Sequence, residues 1–360
     1  MKPDTINKEE FIINVGPLNS LASLTYFLNN RINELNNEYK SGINPKIIWD
    51  LRNVMPRYQS MASLTAFLSL AHRLRVFSGQ ASNAFIRWNP EVLSFWDDIK
   101  LLNLSQRYNL IDWPEELIGG YQRDVTNPNT KIIAYPLDIN TPSQKDSDNW
   151  KDWKDFKRQE IEKDINSRCE EVFRDSKNWE FQRDLRLQVA STSAELIVNS
   201  QLHGKSMAFF GIQRTSKRIT VAVCDAGIGF INSLQKKNRE WSNLRKLTDI
   251  EAIFIGSLEN LREMGLRRAI NKILDVGGYV LIYSGNAEIY WNDFIWENAK
   301  NNYNPNEYLI PSIEKILGSP LKGKADLDKK EKGYYRIWKY IILGTRISFE
   351  INLDEYKNKI

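Results

Sequence analysis

Ala194-Glu-Leu-Ile-Val-Asn-Ser-Gln-Leu-His-Gly204, followed by Val223-Cys-Asp-Ala-Gly-Ile-Gly-Phe230, decides how this chain is read. The first stretch predicts a helix ending in Gly204, with Glu195, Asn199 and His203 at successive i, i+4 positions on one face. The second predicts a strand running into a glycine-bearing turn, with Asp225 at the strand's end. A carboxylate there can accept from an exocyclic amine, while Gly227 and Gly229 let the backbone approach a flat base. Simple turn chemistry is the competing reading of Asp-x-Gly.

The amide oxygen of Asn199 is a hard ligand suited to Mg²⁺, which keeps several waters and also binds phosphate oxygens. Glu195, one turn earlier, is spaced to orient or deprotonate an attacking water. Ala194, Leu196, Ile197 and Val198 make this helix apolar nearly all round, which places the polar groups in a cleft with something to satisfy them.

Composition sets the frame. At 360 residues and 42.0 kDa the chain has length for about two domains. Hydrophobic residues at 42% with 11 Trp supply a core and exclude a disordered composition. A net charge of +5, from 50 basic and 45 acidic residues, gives no strong nucleic-acid signal. With two cysteines, Cys169 and Cys224, and two histidines, His72 and His203, no Cys/His zinc site can be assembled. The charged amino terminus is unlike a signal peptide, and no apolar run approaches the ~20 residues that span a bilayer. A reduced, cytoplasmic protein with no membrane partner is expected.

Outward from the opening motif, residues 10–110 alternate strand and helix: strands at Glu10–Val15, Lys46–Leu51 and Asn83–Trp88, helices at Ser20–Tyr39 and Gln59–Ser78. Leu64, Phe67, Leu68, Ala71 and Leu74 form the buried stripe of the second helix, and Ser60 is its expected N-cap. Lys131–Tyr135 is expected to close this unit, giving a domain over 1–135 and a polar linker over 136–152. The second domain, 153–360, begins with a charged helix burying Phe156, Ile161, Ile165 and Val172. A hairpin follows over Ser206–Cys224, then a lid over 230–263 and a helix over Gly265–Asp275. A second hairpin is expected about Gly285-Asn286, an insertion over 292–333, and two last strands separated by Gly344.

Gly204-Lys205-Ser206 has the tail of a P-loop pattern, but Asn199 stands where that loop needs its first glycine, and the segment ends a helix rather than opening one. It is not a P-loop.

The order of motifs, Glu195-x-x-x-Asn199-x-x-x-His203-Gly204, Asp225-x-Gly227-x-Gly229, a lid, a glycine-led helix at Gly265 and Gly344-Thr345 before a terminal strand, resembles the GHKL ATPase family. Gyrase, a heat-shock chaperone, mismatch-repair proteins and histidine kinases carry such domains. The resemblance covers roughly residues 180–353. It implies a Bergerat-type α/β sandwich, with helices on one face of a mixed sheet and ATP between the motifs. Asp225 would then read the adenine amine, Asn199 would hold Mg²⁺ and Glu195 would activate water. Gly344 and Thr345 would back the adenine, and Gly265 and Leu266 would bring a helix amino terminus to the phosphates. The glycine run that usually precedes that helix is reduced here to Met264-Gly265-Leu266. Lys236, Lys237, Arg239, Arg245, Lys246, Arg267 and Arg268 are then either phosphate contacts or a solvated lid face.

Ile47-Ile48-Trp49-Asp50-Leu51, then Val54 and Ser60 opening an apolar helix, resembles a STAS-like domain over roughly residues 10–118. In that family a serine at the helix start can be phosphorylated by a GHKL-type kinase. Here Gln59 and Met61 flank Ser60, so an N-cap role competes with phosphorylation. The two resemblances together imply an Mg·ATP-binding signalling protein that hydrolyses ATP slowly and switches conformation or binding to a protein partner or second copy. A serine kinase of the anti-sigma-factor type and a non-catalytic nucleotide-gated module are the alternatives.

Overall fold

The computed structural model describes residues 10–55, 59–87, 89–118, 128–138, 140–141, 147–174, 179–237, 247–258, 265–303, 309–318 and 334–359. In chain order these hold β1 (Glu10–Asn14), α1 (Leu21–Lys40), β2 (Lys46–Asp50), α2 (Met61–Ser78), β3 (Ser82–Phe85), α3 (Pro90–Asp98), α4 (Leu101–Arg107) and β4 (Ile111–Asp112). Next come α5 (Glu115–Ile118), β5 (Thr130–Tyr135), α6 (Ser147–Arg168), α7 (Glu170–Phe173), α8 (Trp179–Asn199), β6 (Ala208–Arg214) and β7 (Arg218–Asp225). Then follow α9 (Gly229–Lys237), α10 (Asp249–Leu258), α11 (Leu266–Asp275), β8 (Gly278–Trp291), α12 (Asp293–Asn302), α13 (Leu309–Leu317), β9 (Tyr335–Asn352) and α14 (Leu353–Lys359).

The strands form two sheets. The first is four-stranded and parallel in the order β1-β2-β3-β4. The second is five-stranded and antiparallel throughout, in the order β5-β6-β7-β9-β8. The mixed second sheet expected from the resemblance is therefore corrected to an antiparallel one.

Helix α2 explains how the two sheets share one molecule. Over Met61–Ala71 its sequence has no polar face, and Met61, Ser63, Thr65 and Ser69 are buried as fully as Leu64, Phe67 and Leu68. A helix apolar all round must be covered all round. One side packs under the parallel sheet; the other packs on β6 and β7, while α1 covers β9. Thr65 and Ser69 donate their hydroxyl protons to their own helix, at the carbonyls of Met61 (2.7 Å) and Ala66 (2.8 Å), so their burial leaves no orphaned hydroxyl donor.

The second sheet thus has helices on both faces rather than one. Phe209, Ala222 and Cys224 face α1 and α2, whereas Phe210, Ile212, Val221 and Val223 face the core under α8, α10 and α11. Burial on both faces accounts for the near-continuous apolar run of β6 and β7.

Three further expectations change. Lys131–Tyr135, expected to close the first sheet, is the edge of the second, with Thr130–Tyr135 paired along β6 from Gln213 to Ala208. The last strand of the parallel sheet, Ile111–Asp112, offers two residues of edge; β6 offers a full-length one. The turns expected at Gly285 and Gly344 are irregularities inside long strands β8 and β9, since glycine at positive φ serves a bulge as well as a reversal. Helix α6 starts at Ser147, inside the expected linker, and Phe156 is 68% exposed while Ile161 and Ile165 are buried. In the expected insertion, 292–303 and 309–318 carry α12 and α13; residues 304–308 and 319–333 lie outside the described residues.

Candidate functional site

Strand β7 ends at Asp225, between Ala208 of β6 and Thr345 of β9. The carboxylate is 3% exposed, and its Oδ1 accepts from the backbone N–H groups of Gly227 (2.8 Å) and Thr345 (3.3 Å). Burial pushes its pKa up to about 6, with the amide of Gly227, the hydroxyl of Ser200, the amide of Thr345 and the charge of Arg346 pulling the other way. Ser200 Oγ also lies 3.1 Å from the Leu196 carbonyl, so its single proton serves one acceptor at a time.

The backbone around Asp225 is crowded. A Cβ on Gly227 would fall 2.3 Å from the Gly204 carbonyl oxygen, and one on Gly204 would fall 3.2 Å from Asp225 Oδ1. Two side chains hold the turn: Ser206 Oγ accepts from the Ala226 N–H (3.3 Å), and Arg73 of α2 donates to the Ala226 carbonyl (3.4 Å). Gly229 (φ +74°) then opens α9, whose Phe230 N–H donates to Ser284 Oγ (3.1 Å).

Helix α8 does not run straight into this turn. After Asn199 it widens into a π-helical turn, Ser200–Gly204, which is uncommon and recurs at ligand sites. Asn199, Ser200, His203 and Gly204 thereby face Asp225 across a cavity also lined by Leu196, Gly229, Phe230, Ser233, Leu266, Thr345 and Ile347. Asn199 Oδ1 and Ser233 Oγ are buried without a hydrogen-bond partner. Such atoms cost on the order of 1–3 kcal/mol each unless a ligand or water satisfies them. The cavity gives about 60 Å³ to the centres of water molecules, room for a few waters.

The structure brings Asn199, Asp225, Gly229, Leu266 and Thr345 to one cavity, with Gly227 and Gly344 packed against its backbone frame. Glu195 and Gly265 stand apart, lining a small neighbouring cavity. There Glu195, 8% exposed, is paired by Lys154 Nζ (2.9 Å) and Arg158 Nη1 (3.6 Å), both from α6. A side chain on Gly265 would begin 2.0 Å from Glu195 Oε1, so the carboxylate rests directly on the amino terminus of α11. The general base expected from sequence is, in this conformation, held by two cations away from the Asp225 cavity.

Among the described residues no group of three or more His, Cys, Asp or Glu can hold a metal ion. An Mg²⁺ here would take Asn199 Oδ1 as its protein ligand and otherwise phosphate oxygens and water, which suits that ion. Arg267 donates to the Leu258 carbonyl (2.9 Å), a structural use rather than a phosphate contact. The side chains of Lys236, Lys237, Arg239, Arg245, Lys246 and Met264 lie outside the described ones.

Sequence reasoning missed Lys154 and Arg158 as partners of Glu195, although their i, i+4 spacing on one helix was visible. It also missed Ser200 and Leu196, which follow from Asn199 by helical spacing, and Ser233 and Ser284, which carried no local signal. Among the described residues no helix is long and apolar enough to cross a membrane. The chain matches no family model, no curated protein and no solved structure.

Proposed function

We propose that this chain is an Mg·ATP-binding protein of the GHKL type, its second sheet a Bergerat-type sandwich and its first a STAS-like unit, working in the cytoplasm as a nucleotide-controlled switch. One observation carries the reading: a buried carboxylate, Asp225, set in glycine-lined backbone, shares a cavity with the unpartnered amide oxygen of Asn199. Asp225 accepts from the exocyclic amine of adenine, and the Thr345 backbone supports it from behind. Asn199 Oδ1 completes the coordination of Mg²⁺ on the phosphates. Bound Mg·ATP supplies the phosphoanhydride that slow hydrolysis would break. The chain's own part is to hold the base, exclude water and position a carboxylate at Glu195.

Calorimetry with Mg·ATP tests this. Asp225→Asn and Asn199→Ala are expected to abolish binding, and wild-type affinity in Asp225→Asn would remove the placement.

The grip of Lys154 and Arg158 on Glu195 favours a second reading, a module that is gated by nucleotide without turning it over. Phosphate release discriminates. Turnover that is lost in Glu195→Ala, with ATP affinity retained, supports the ATPase; release at background in wild type supports the gate. Since α2 packs on β6 and β7, ATP binding would act on the α2 side through the Arg73–Ala226 contact, to the extent that it binds one arrangement better than another.

A further inference from the structure

Strand β9 leaves its neighbour for a short distance, and α1 takes it up. In the β8–β9 ladder Ala287 pairs with Ile337 and Gly285 with Ile342, so Trp338, Lys339, Tyr340 and Ile341 stand opposite Asn286 alone. Extra residues in one strand bend it and interrupt its ladder. Asn29 of α1 makes up the loss at Tyr340. Its side-chain amide donates to the Tyr340 carbonyl (2.6 Å) and accepts from the Tyr340 N–H (3.1 Å), the two bonds that a neighbouring strand would exchange with it.

Asn29 begins a row. Asn33, Asn36 and Lys40 follow it at i+4, i+7 and i+11, on one face of α1. These three line an open groove together with Lys339, Ile341 and Leu343 of β9, and the groove gives about 550 Å³ to the centres of water molecules. That is a ligand-sized space. Tyr39 and Phe77, whose rings meet edge to face 4.5 Å apart, complete its apolar wall. Phe77 is 57% exposed, Ile341 52% and Leu343 40%, and large apolar side chains gathered around one groove mark an interaction site. The Tyr39 hydroxyl is buried without a partner. The lining holds two lysines and no carboxylate. By helical spacing Glu34 and Glu38 fall away from the row, and Glu34 is taken by Arg31.

We propose that this groove binds an extended segment of a partner protein in which apolar and acidic side chains alternate. Asn33 and Asn36 clamp its backbone as Asn29 clamps Tyr340; Phe77, Ile341 and Leu343 receive its apolar side chains; Lys40 and Lys339 pair with its carboxylates. Spacing supports an extended chain. Asn29 and Asn33, four residues apart on a helix, are ~6 Å apart along its axis, and the backbone groups on one edge of an extended chain recur every ~6.6 Å. Alternation follows from the same conformation, because successive side chains point to opposite sides. A basic segment would meet Lys40 and Lys339 as like charges, which is how the groove refuses it. The surface is remote from the cavity at Asp225 in its lining residues, and the inference does not depend on the nucleotide reading above.

The test is selection of a phage-displayed library of random peptides, about ten residues long to match a full strand, on the whole chain without nucleotide. Enriched peptides are then measured by calorimetry on wild type, Lys339→Glu, Ile341→Ser and the double variant Asn33→Ala, Asn36→Ala. All four positions are exposed or half-exposed, so the variants are expected to fold, and separate positions keep the test valid if one does not. The enriched peptides are expected to alternate acidic and apolar residues. They should lose about tenfold or more in affinity for Lys339→Glu and for the asparagine pair, the worth of one or two hydrogen-bonded contacts. Methylating their backbone nitrogens should abolish binding to wild type. No enrichment, a basic consensus, or affinity indifferent to the asparagine pair would overturn the proposal. A wild-type dimer in sedimentation that Ile341→Ser dissolves would give the groove to a second copy and overturn it equally.

Discussion

The carbonyl oxygen of Asp225 stands where a side chain on Gly344 would begin, 2.2 Å from an ideal Cβ. Gly344 also holds φ +102°, a conformation that L side chains rarely adopt. β9 can therefore press its backbone against the end of β7 and deliver the Thr345 N–H to Asp225 Oδ1. Thr345 is reached by way of the irregularity in β9, not by a turn.

Gly344→Ala should cost stability and nucleotide affinity together. Strain at a positive φ is worth about 1–3 kcal/mol, and the contact with Asp225 adds to it. Urea unfolding reads the first effect and ATP calorimetry the second. An unchanged midpoint would show that β9 does not approach Asp225 this closely.

Much of this was readable in the sequence, and the failures share a cause. The helix over 194–204, the strand ending at Asp225 and the Gly265 helix have strong local signals, and their side chains converge. Sheet membership is non-local. Nothing inside Thr130–Tyr135 tells which edge it will find; β4 offers two residues of edge and β6 offers six. Glycine at 285 and 344 announces a positive φ without telling bulge from reversal. Helix α2 held a readable clue that went unused: Ser63, Thr65 and Ser69 are small enough to be buried, so its first three turns had no solvent face to offer. The Glu195 pairing was missed because α6 and α8 meet only in the tertiary fold.

At Gly211, β6 and α2 pack with no room for a side chain between them. A Cβ there would lie 2.3 Å from Thr65 Oγ1 and 2.6 Å from Met61 Sδ on α2. Gly211→Val should pry α2 from β6 and destabilise the protein by about 1–3 kcal/mol, the usual cost of overpacking. Because α2 serves both sheets, near- and far-ultraviolet signals are expected to shift to lower urea together. A transition confined to one half would argue that the halves fold independently.

Ser20 and Ser60 both occupy helix N-cap positions, yet they differ. Ser20 Oγ accepts from the Ser23 N–H (3.1 Å), whereas Ser60 makes no side-chain cap bond and its own N–H donates to the Leu18 carbonyl. Ser20→Ala should cost about 1 kcal/mol and Ser60→Ala less than about 0.5 kcal/mol. Ser60 also lies thirteen residues along α2 from Arg73, the residue that touches the Asp225 turn, which is roughly 20 Å of helix. Incubation with ATP should leave Ser60 of the same chain unmodified; phosphoserine at Ser60 in mass spectra at high dilution would restore the kinase alternative.

Asp225 makes opposite demands on pH for folding and for binding. With its carboxyl raised to about 6 against an ordinary 3.8, the native chain holds a proton between about pH 4 and pH 6 that the unfolded chain has already released. Its contribution to stability is therefore complete below pH 4, declines as pH rises to 6 and stays lost above. The span is on the order of 3 kcal/mol. Other groups titrate in the same range, so the quantity to measure is the stability of Asp225→Asn minus that of wild type. It should grow by about that amount from pH 4 to pH 7, since the asparagine never carries the buried charge. Ligand binding should run the other way. A protonated Asp225 is a weaker acceptor for an exocyclic amine, so the affinity for adenosine, which has no phosphate to titrate, should fall as pH drops through 6. A flat adenosine affinity beside a sloping stability difference would place Asp225 in the fold and take it out of base recognition.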